Sequence, residues 1–161
     1  RRRTCEPRAF GESLLSTAVE PFSVPVVVKW AHFDPAGLLH PSRAIFYAMD
    51  VLEVWFRDIV GVSWQDFLDD YDIDTPSVRA ECDFLRPTKA DMVIDFGVGV
   101  ERLGRTSVTF SLDGRDGAGI HYFQIRMVMV FVSMKDGYKA CEVPPRLRQR
   151  IIAYRDARGD G

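Results

Sequence analysis

Asp34 is the side chain of this sequence best placed to do chemistry. It lies in His32-Phe33-Asp34-Pro35-Ala36-Gly37-Leu38-Leu39-His40-Pro41-Ser42, a turn directly ahead of a long apolar segment. Pro holds φ at about −65° and Gly permits positive φ, so Pro35 and Gly37 mark a tight reversal of the backbone. Pro41 suits a first helical turn and Ser42 a cap, so a helix is predicted from there. Backbone N–H groups left free at a helix start can polarise a carbonyl. Asp34, a few residues upstream, is near enough to attack that carbon or to activate a water. An Asp before Pro also stabilises turns through its own side chain, and both roles stand open. His40 can orient a substrate or water, or simply cap the helix. His32, two residues before Asp34, shares its face if the preceding strand runs that far, and either tunes the carboxylate or packs.

These residues need a scaffold. Val24-Pro25-Val26-Val27-Val28-Lys29-Trp30-Ala31 is β-branched and reads as a first strand, with Pro25 placing it at an edge. Over 42–60 the polar residues Arg43, Asp50, Glu53 and Arg57 make one narrow stripe. Most of the remaining circumference is apolar or aromatic, far more than a surface helix shows, so the segment predicts a helix that something must wrap. Gly61 suits its end. Asp50, Glu53 and Arg57 have the spacing of neighbours that pair along one helix face. Beyond a short helical segment at 64–68, apolar alternation over 75–85, 92–103, 105–112 and 120–134 predicts strands. The breaker Arg86-Pro87-Thr88 and Gly-bearing turns separate them, as in an antiparallel meander. A basic helix over 144–154 follows the double proline Pro144-Pro145. The order is that of an α+β domain in which the sheet curls around the helix.

The 161 residues suit one domain, 47% hydrophobic and 27% charged, as in ordinary globular chains. Residues 1–22 read as an N-terminal arm, 23–155 as the domain and 156–161 as a tail. Arg1-Arg2-Arg3 ahead of Ser13–Ala18 has the outline of a targeting segment, but Glu6, Glu12 and Glu20 interrupt it, and a surface arm is expected. A formal net charge of −2 favours neither nucleic acid nor an anionic membrane as partner. No apolar run approaches the roughly 18 residues of a membrane span. Cys5, Cys82 and Cys141 are widely spaced, which argues against disulfides and zinc and for a reducing, cytoplasmic setting. No metal site is expected, since His32, His40 and His121 form no spaced ligand motif.

Asp34-Pro35-Ala36-Gly37 ahead of an aromatic-rich helix resembles the 4-hydroxybenzoyl-CoA thioesterase family of hotdog proteins. So do Arg102-Leu103-Gly104-Arg105-Thr106-Ser107 between middle strands and Val143-Pro144-Pro145-Arg146-Leu147 after the last. The resemblance spans roughly 24–150. It implies an antiparallel sheet around one long helix and hydrolysis of a thioester, with coenzyme A as part of the substrate and no other cofactor. Asp34 would be nucleophile or general base, assisted by His40. The oxyanion and substrate contacts would fall at Gly37, Ser42 and Arg43, since Pro41 has no N–H to donate. Arg102, Arg105, Thr106 and Ser107 would hold coenzyme A across a subunit boundary of a homodimer or homotetramer. In another branch of hotdog thioesterases the acid comes from the central helix, which makes Asp50 and Glu53 rivals to Asp34. The chain departs from the family's usual residues at His32, His40, Pro41 and Ala44, so the resemblance leaves the acyl group open: small aromatic, or short to medium aliphatic. A thioesterase for carrier-protein-bound chains and a non-catalytic acyl-CoA-binding module are its alternatives.

Overall fold

A computed structural model describes residues 22–159; residues 1–21 of the N-terminal arm, with its targeting outline, lie outside them. Strands β1 (Ser23–Val27), β3 (Ser77–Phe84), β4 (Val93–Leu103), β5 (Ser107–Arg115) and β6 (His121–Val130) form a five-stranded antiparallel sheet. Its order is β1-β4-β5-β6-β3. A small second sheet joins β2 (Ile73–Asp74), β7 (Val132–Ser133) and β8 (Lys139–Ala140). Helices α1 (Pro41–Trp55), α2 (Trp64–Asp69) and α3 (Pro145–Arg158) complete the chain.

Period-two alternation decides which face of the sheet is inside. Ile94, Phe96, Val98 and Val100 of β4 are fully buried, as are Val108, Phe110 and Leu112 of β5 and Ile125, Met127 and Met129 of β6. Register brings Val98 opposite Leu112, Phe110 opposite Met127 and Leu112 opposite Ile125, so inward residues meet inward residues. Gly114 lies opposite Phe123, and a Cβ on it would stand 2.9 Å from that ring and 3.1 Å from Ile94. Its missing side chain lets Phe96 and Phe123 stack with centroids 5.9 Å apart.

Helix α1 buries Ala44, Tyr47, Ala48, Val51, Leu52 and Trp55, an i, i+3, i+4 stripe. Each large apolar side chain there contributes roughly 1.5–3 kcal/mol by leaving water. Ala44 and Ala48 have almost no side chain to hold the sheet away, and a larger residue at Ala48 would cost about 1–3 kcal/mol by overpacking. Burial does not extend round the helix as expected. Phe46 is 57% exposed, and Ile45, Met49 and Val54 are only partly covered, because one sheet reaches one side of a helix.

Three further expectations are corrected, and the end of the long helix at Gly61 holds with a change of winding. The first strand stops at Val27, and Trp30–His32 coil into a 3₁₀ turn, so His32 does not share a strand face with Asp34. The long helix reaches Val60, but Phe56–Val60 wind as a π turn closed by Gly61 at φ +73°. Only β4, β5 and β6 form a meander. β3 crosses to the far edge beside β6, where all its residues except partly buried Cys82 are exposed. The C-terminal helix runs past Tyr154 to Arg158 and is bound to the body. Arg150 Nη1 donates to Val60 O at 2.7 Å, Arg148 to Gly104 O, and the Tyr154 hydroxyl to Val98 O. Among the described residues no helix is long and apolar enough to cross a membrane.

Candidate active site

The turn that carries Asp34 is a miniature β-ribbon. Phe33 bridges Leu39, closed by Asp34 N donating to Leu38 O at 2.8 Å and His40 N to His32 O at 3.0 Å. Gly37 completes the reversal at φ +76°, a conformation that Gly adopts without strain; nothing lies within 4 Å of where its Cβ would be. The two roles left open for Asp34 fall on different atoms of one carboxylate. Oδ1 accepts from Ala36 N at 2.9 Å and Leu38 N at 3.0 Å, and so builds the turn. Oδ2 has no hydrogen-bond partner among the described residues.

A tyrosine fastens this ribbon to α1. Tyr47, 3% exposed, accepts at Oη from Lys29 N at 3.0 Å and lies 2.7 Å from His32 Nδ1. The Tyr47 hydroxyl and His32 Nδ1 share one hydrogen bond, and the tautomer of the ring decides which of the two donates. Partial burial, then the charges of Arg43 and Lys29, press His32 below the ordinary imidazole pKa, while Asp50 pulls the other way. His32 therefore anchors the ribbon, in keeping with the packing alternative.

The helix start does not offer the free donors expected of it. His40 is the N-cap: its Nδ1 accepts from Ser42 N at 3.3 Å and lies 2.9 Å from Ser42 Oγ. Arg43 N donates to His40 O at 2.8 Å, and its guanidinium lies over the Phe46 ring at 5.7 Å. With Pro41 lacking an N–H, the first turn's donors at Ser42 and Arg43 are engaged within the chain itself.

Two cavities meet at Asp34. One, of about 330 Å³, is lined mainly by apolar side chains, among them Leu38, Leu39, Phe84, Leu85 and Phe123. The other, of about 630 Å³, is a groove along Trp30, Phe33, Gly37 and Lys89. Asp34 and Thr88 are the residues that line both. Thr88 is 6% exposed and its Oγ1 is buried with no hydrogen-bond partner.

The remaining candidates are not brought to Asp34. Val28 N donates to Met92 O at 2.8 Å, which sets the ribbon at the start of β4. Arg102, Arg105, Thr106 and Ser107 stand at its other end, ten residues on, about 33 Å at roughly 3.3 Å per residue. Arg105 Nη1 there bonds Glu142 Oε1 at 3.1 Å on an exposed surface. Asp50 and Glu53 face outward from α1, and Arg57 pairs with its neighbour Asp58 at 2.7 Å instead of with them. The sequence assigns Tyr47 and Thr88 no hydrogen-bonding role. A buried Tyr needs a partner for its hydroxyl, which is a usable signal, whereas Thr88 reads only as part of a strand breaker.

Residues 51–120 match the family model described as Thioesterase superfamily. No curated protein matches the chain in sequence. Among solved structures, a thioesterase superfamily protein from Jannaschia sp. CCS1 is 27% identical with a TM-score of 0.74, covering 87% of this chain and 97% of its own. A 1,4-dihydroxy-2-naphthoyl-CoA thioesterase from Synechocystis is 16% identical, with a TM-score of 0.74 and coverage of 83% and 96%. A Staphylococcus aureus protein in complex with CoA is 11% identical, with a TM-score of 0.80 and coverage of 88% of each chain. The architecture is the hotdog fold, an antiparallel sheet with its long helix packed against it.

Proposed function

We propose that this hotdog-fold chain, with its thioesterase-superfamily segment, hydrolyses the thioester of a small aromatic or short-to-medium acyl-CoA. One observation carries the reading: a carboxylate whose Oδ1 is tied into its turn keeps Oδ2 free where an apolar cavity meets an open groove. The cavity suits an uncharged acyl group and the groove suits the thiol arm of coenzyme A, so the bond that joins them lies beside Asp34. Oδ2 takes a proton from the attacking water, or attacks the carbonyl carbon itself and is regenerated by water. On either route the C–S bond breaks, one water is consumed, and the products are the free acid and the CoA thiol.

The chain acts in this reading as a homo-oligomer in the cytoplasm. The open β3 edge exposes Val78 and Phe84, and the outer face of α1 exposes Phe46, as surfaces for a second copy. The distance from Asp34 to Arg102 and Arg105 within one chain also favours a second copy as the source of any phosphate contacts. Sedimentation would show a dimer or tetramer; a monomer at assay concentration rejects that part.

A hydrolysis panel of aromatic, short, medium and long acyl-CoA esters, with carrier-bound counterparts, tests the activity. Turnover of free CoA esters with apolar acyl groups supports the reading. Steep dependence on the carrier would favour the carrier-bound alternative. Tight binding in calorimetry without turnover would favour a non-catalytic module.

A further inference from the structure

We propose that the thioester carbonyl is received by the Thr88 hydroxyl and the Leu39 backbone N–H, not by the helix start; this rests on the thioesterase reading above. The motif-based expectation fails on chemistry, because Pro41 has no N–H and the Ser42 and Arg43 amides are bonded to His40. Two other donors at the cavity are unspent. Leu39 bridges Phe33 as the pair enclosed by the bonds Asp34 N to Leu38 O and His40 N to His32 O. Residues in that position turn their own N–H and C=O away from each other, so the Leu39 N–H leaves the ribbon on its outer edge. That edge borders the apolar cavity, which is lined by Leu38, Leu39 and Pro41 but not by Phe33. The Leu39 amide has no acceptor among the described residues, although the residue is 7% exposed.

Thr88 supplies the second donor. A buried hydroxyl without a partner is disfavoured in a fold, and few such groups persist without a use. Thr88 and Asp34 alone line both the acyl cavity and the groove, so a thioester at their junction has a carboxylate oxygen and this hydroxyl as neighbours. The Thr88 hydroxyl is buried in the unliganded chain, and the proposal requires it to occupy the staggered χ1 well that faces the junction when substrate is bound. When water or Asp34 adds to the carbonyl carbon, the carbonyl π electrons move onto oxygen, and these two donors hold that negative charge. Collapse of the adduct returns the pair, reforms C=O and expels the thiolate, which takes a proton and leaves as CoA thiol.

Thr88→Val tests this against a purely structural role. Valine matches threonine in shape, so removing an unpartnered hydroxyl leaves Tm unchanged or raised. The proposal expects kcat to fall about 100-fold or more, as for loss of one oxyanion donor, with KM changed far less and Thr88→Ser recovering most of the rate. A backbone ester at position 39, which replaces its N–H by oxygen, should lower kcat by a similar factor. Wild-type rates in both Thr88→Val and the ester variant, with Asp34→Asn inactive, would overturn this inference while sparing the thioesterase reading. If the wild type hydrolyses no acyl-CoA, the reading and the inference fall together. A Thr88→Val protein with markedly lowered Tm would overturn the premise of an unpartnered hydroxyl, and the ester variant would then decide Leu39 alone.

Discussion

Tyr47→Phe removes one oxygen and leaves an aromatic ring of the same shape in the same place. The lost contacts are those with Lys29 N at 3.0 Å and His32 Nδ1 at 2.7 Å, which join the 3₁₀ turn before Asp34 to helix α1. Each is worth about 1 kcal/mol net, so the loss is about 2 kcal/mol, approaching 3 where the stranded Lys29 amide cannot reach water. No cavity term adds to this, because the ring remains. For a chain of this size the change corresponds to a fall in Tm of about 4–8 °C. The ribbon should also open more often. If closure loses about 2 kcal/mol, the amides of Asp34 and His40, both bonded across the ribbon, exchange up to about 30-fold faster. Urea unfolding and native-state hydrogen exchange measure the two effects. A loss below about 0.5 kcal/mol, or unchanged exchange at Asp34 and His40, would refute the anchoring role.

Gly61→Ala should cost about 2–4 kcal/mol. Its φ of +73° accounts for about 1–2, and displacement of Arg150, whose Nη1 a Cβ would meet at 2.2 Å, for the rest through the bond to Val60 O. In an Arg150→Ala background, urea titration should return only the conformational part; the same cost in both backgrounds would contradict the coupling. NMR titration should place the His32 midpoint below the ordinary imidazole value, lower still in Asp50→Asn and higher in Arg43→Gln. A depressed folded pKa means that the fold favours the neutral ring. Its stabilising contribution is present above the ordinary pKa and lost as pH falls through the lower folded value. A midpoint at or above the ordinary value would contradict that assignment. Cys82, pushed up to about 11 by burial and then by Asp83, should react slowly with iodoacetamide at pH 7.5; labelling as fast as a free thiol would contradict it.

The sequence was most legible where local chemistry and periodicity coincide. Pro35, Gly37 and Pro41 announced the turn and helix start, and alternation in β4 to β6 announced the buried face. Legibility ended where partners are remote. The crossing of β3 beside β6 depends on which edge is left free, which no local pattern encodes. The helix pattern predicts cover over most of its circumference, outside one polar stripe, yet Phe46 stays exposed, because periodicity shows what is apolar and not what covers it. At the π turn Phe56–Val60 the Val60 carbonyl accepts from Arg150, ninety residues away, a partner no local pattern shows. At the site, residue type identified Asp34, but not that its two oxygens have separate tasks. Free donors were assigned to the helix start from a general property of helices, while His40, read as a possible cap, occupies them.

The most direct measurement is kcat/KM for acyl-CoA hydrolysis by Asp34→Asn beside the wild type, with Tm measured on both. Asparagine keeps an oxygen to accept from Ala36 N and Leu38 N, so the turn should hold and Tm should change little. It removes the carboxylate chemistry at Oδ2, so kcat/KM should fall by about 100-fold or more. A folded Asp34→Asn protein that hydrolyses acyl-CoA at the wild-type rate would contradict the account.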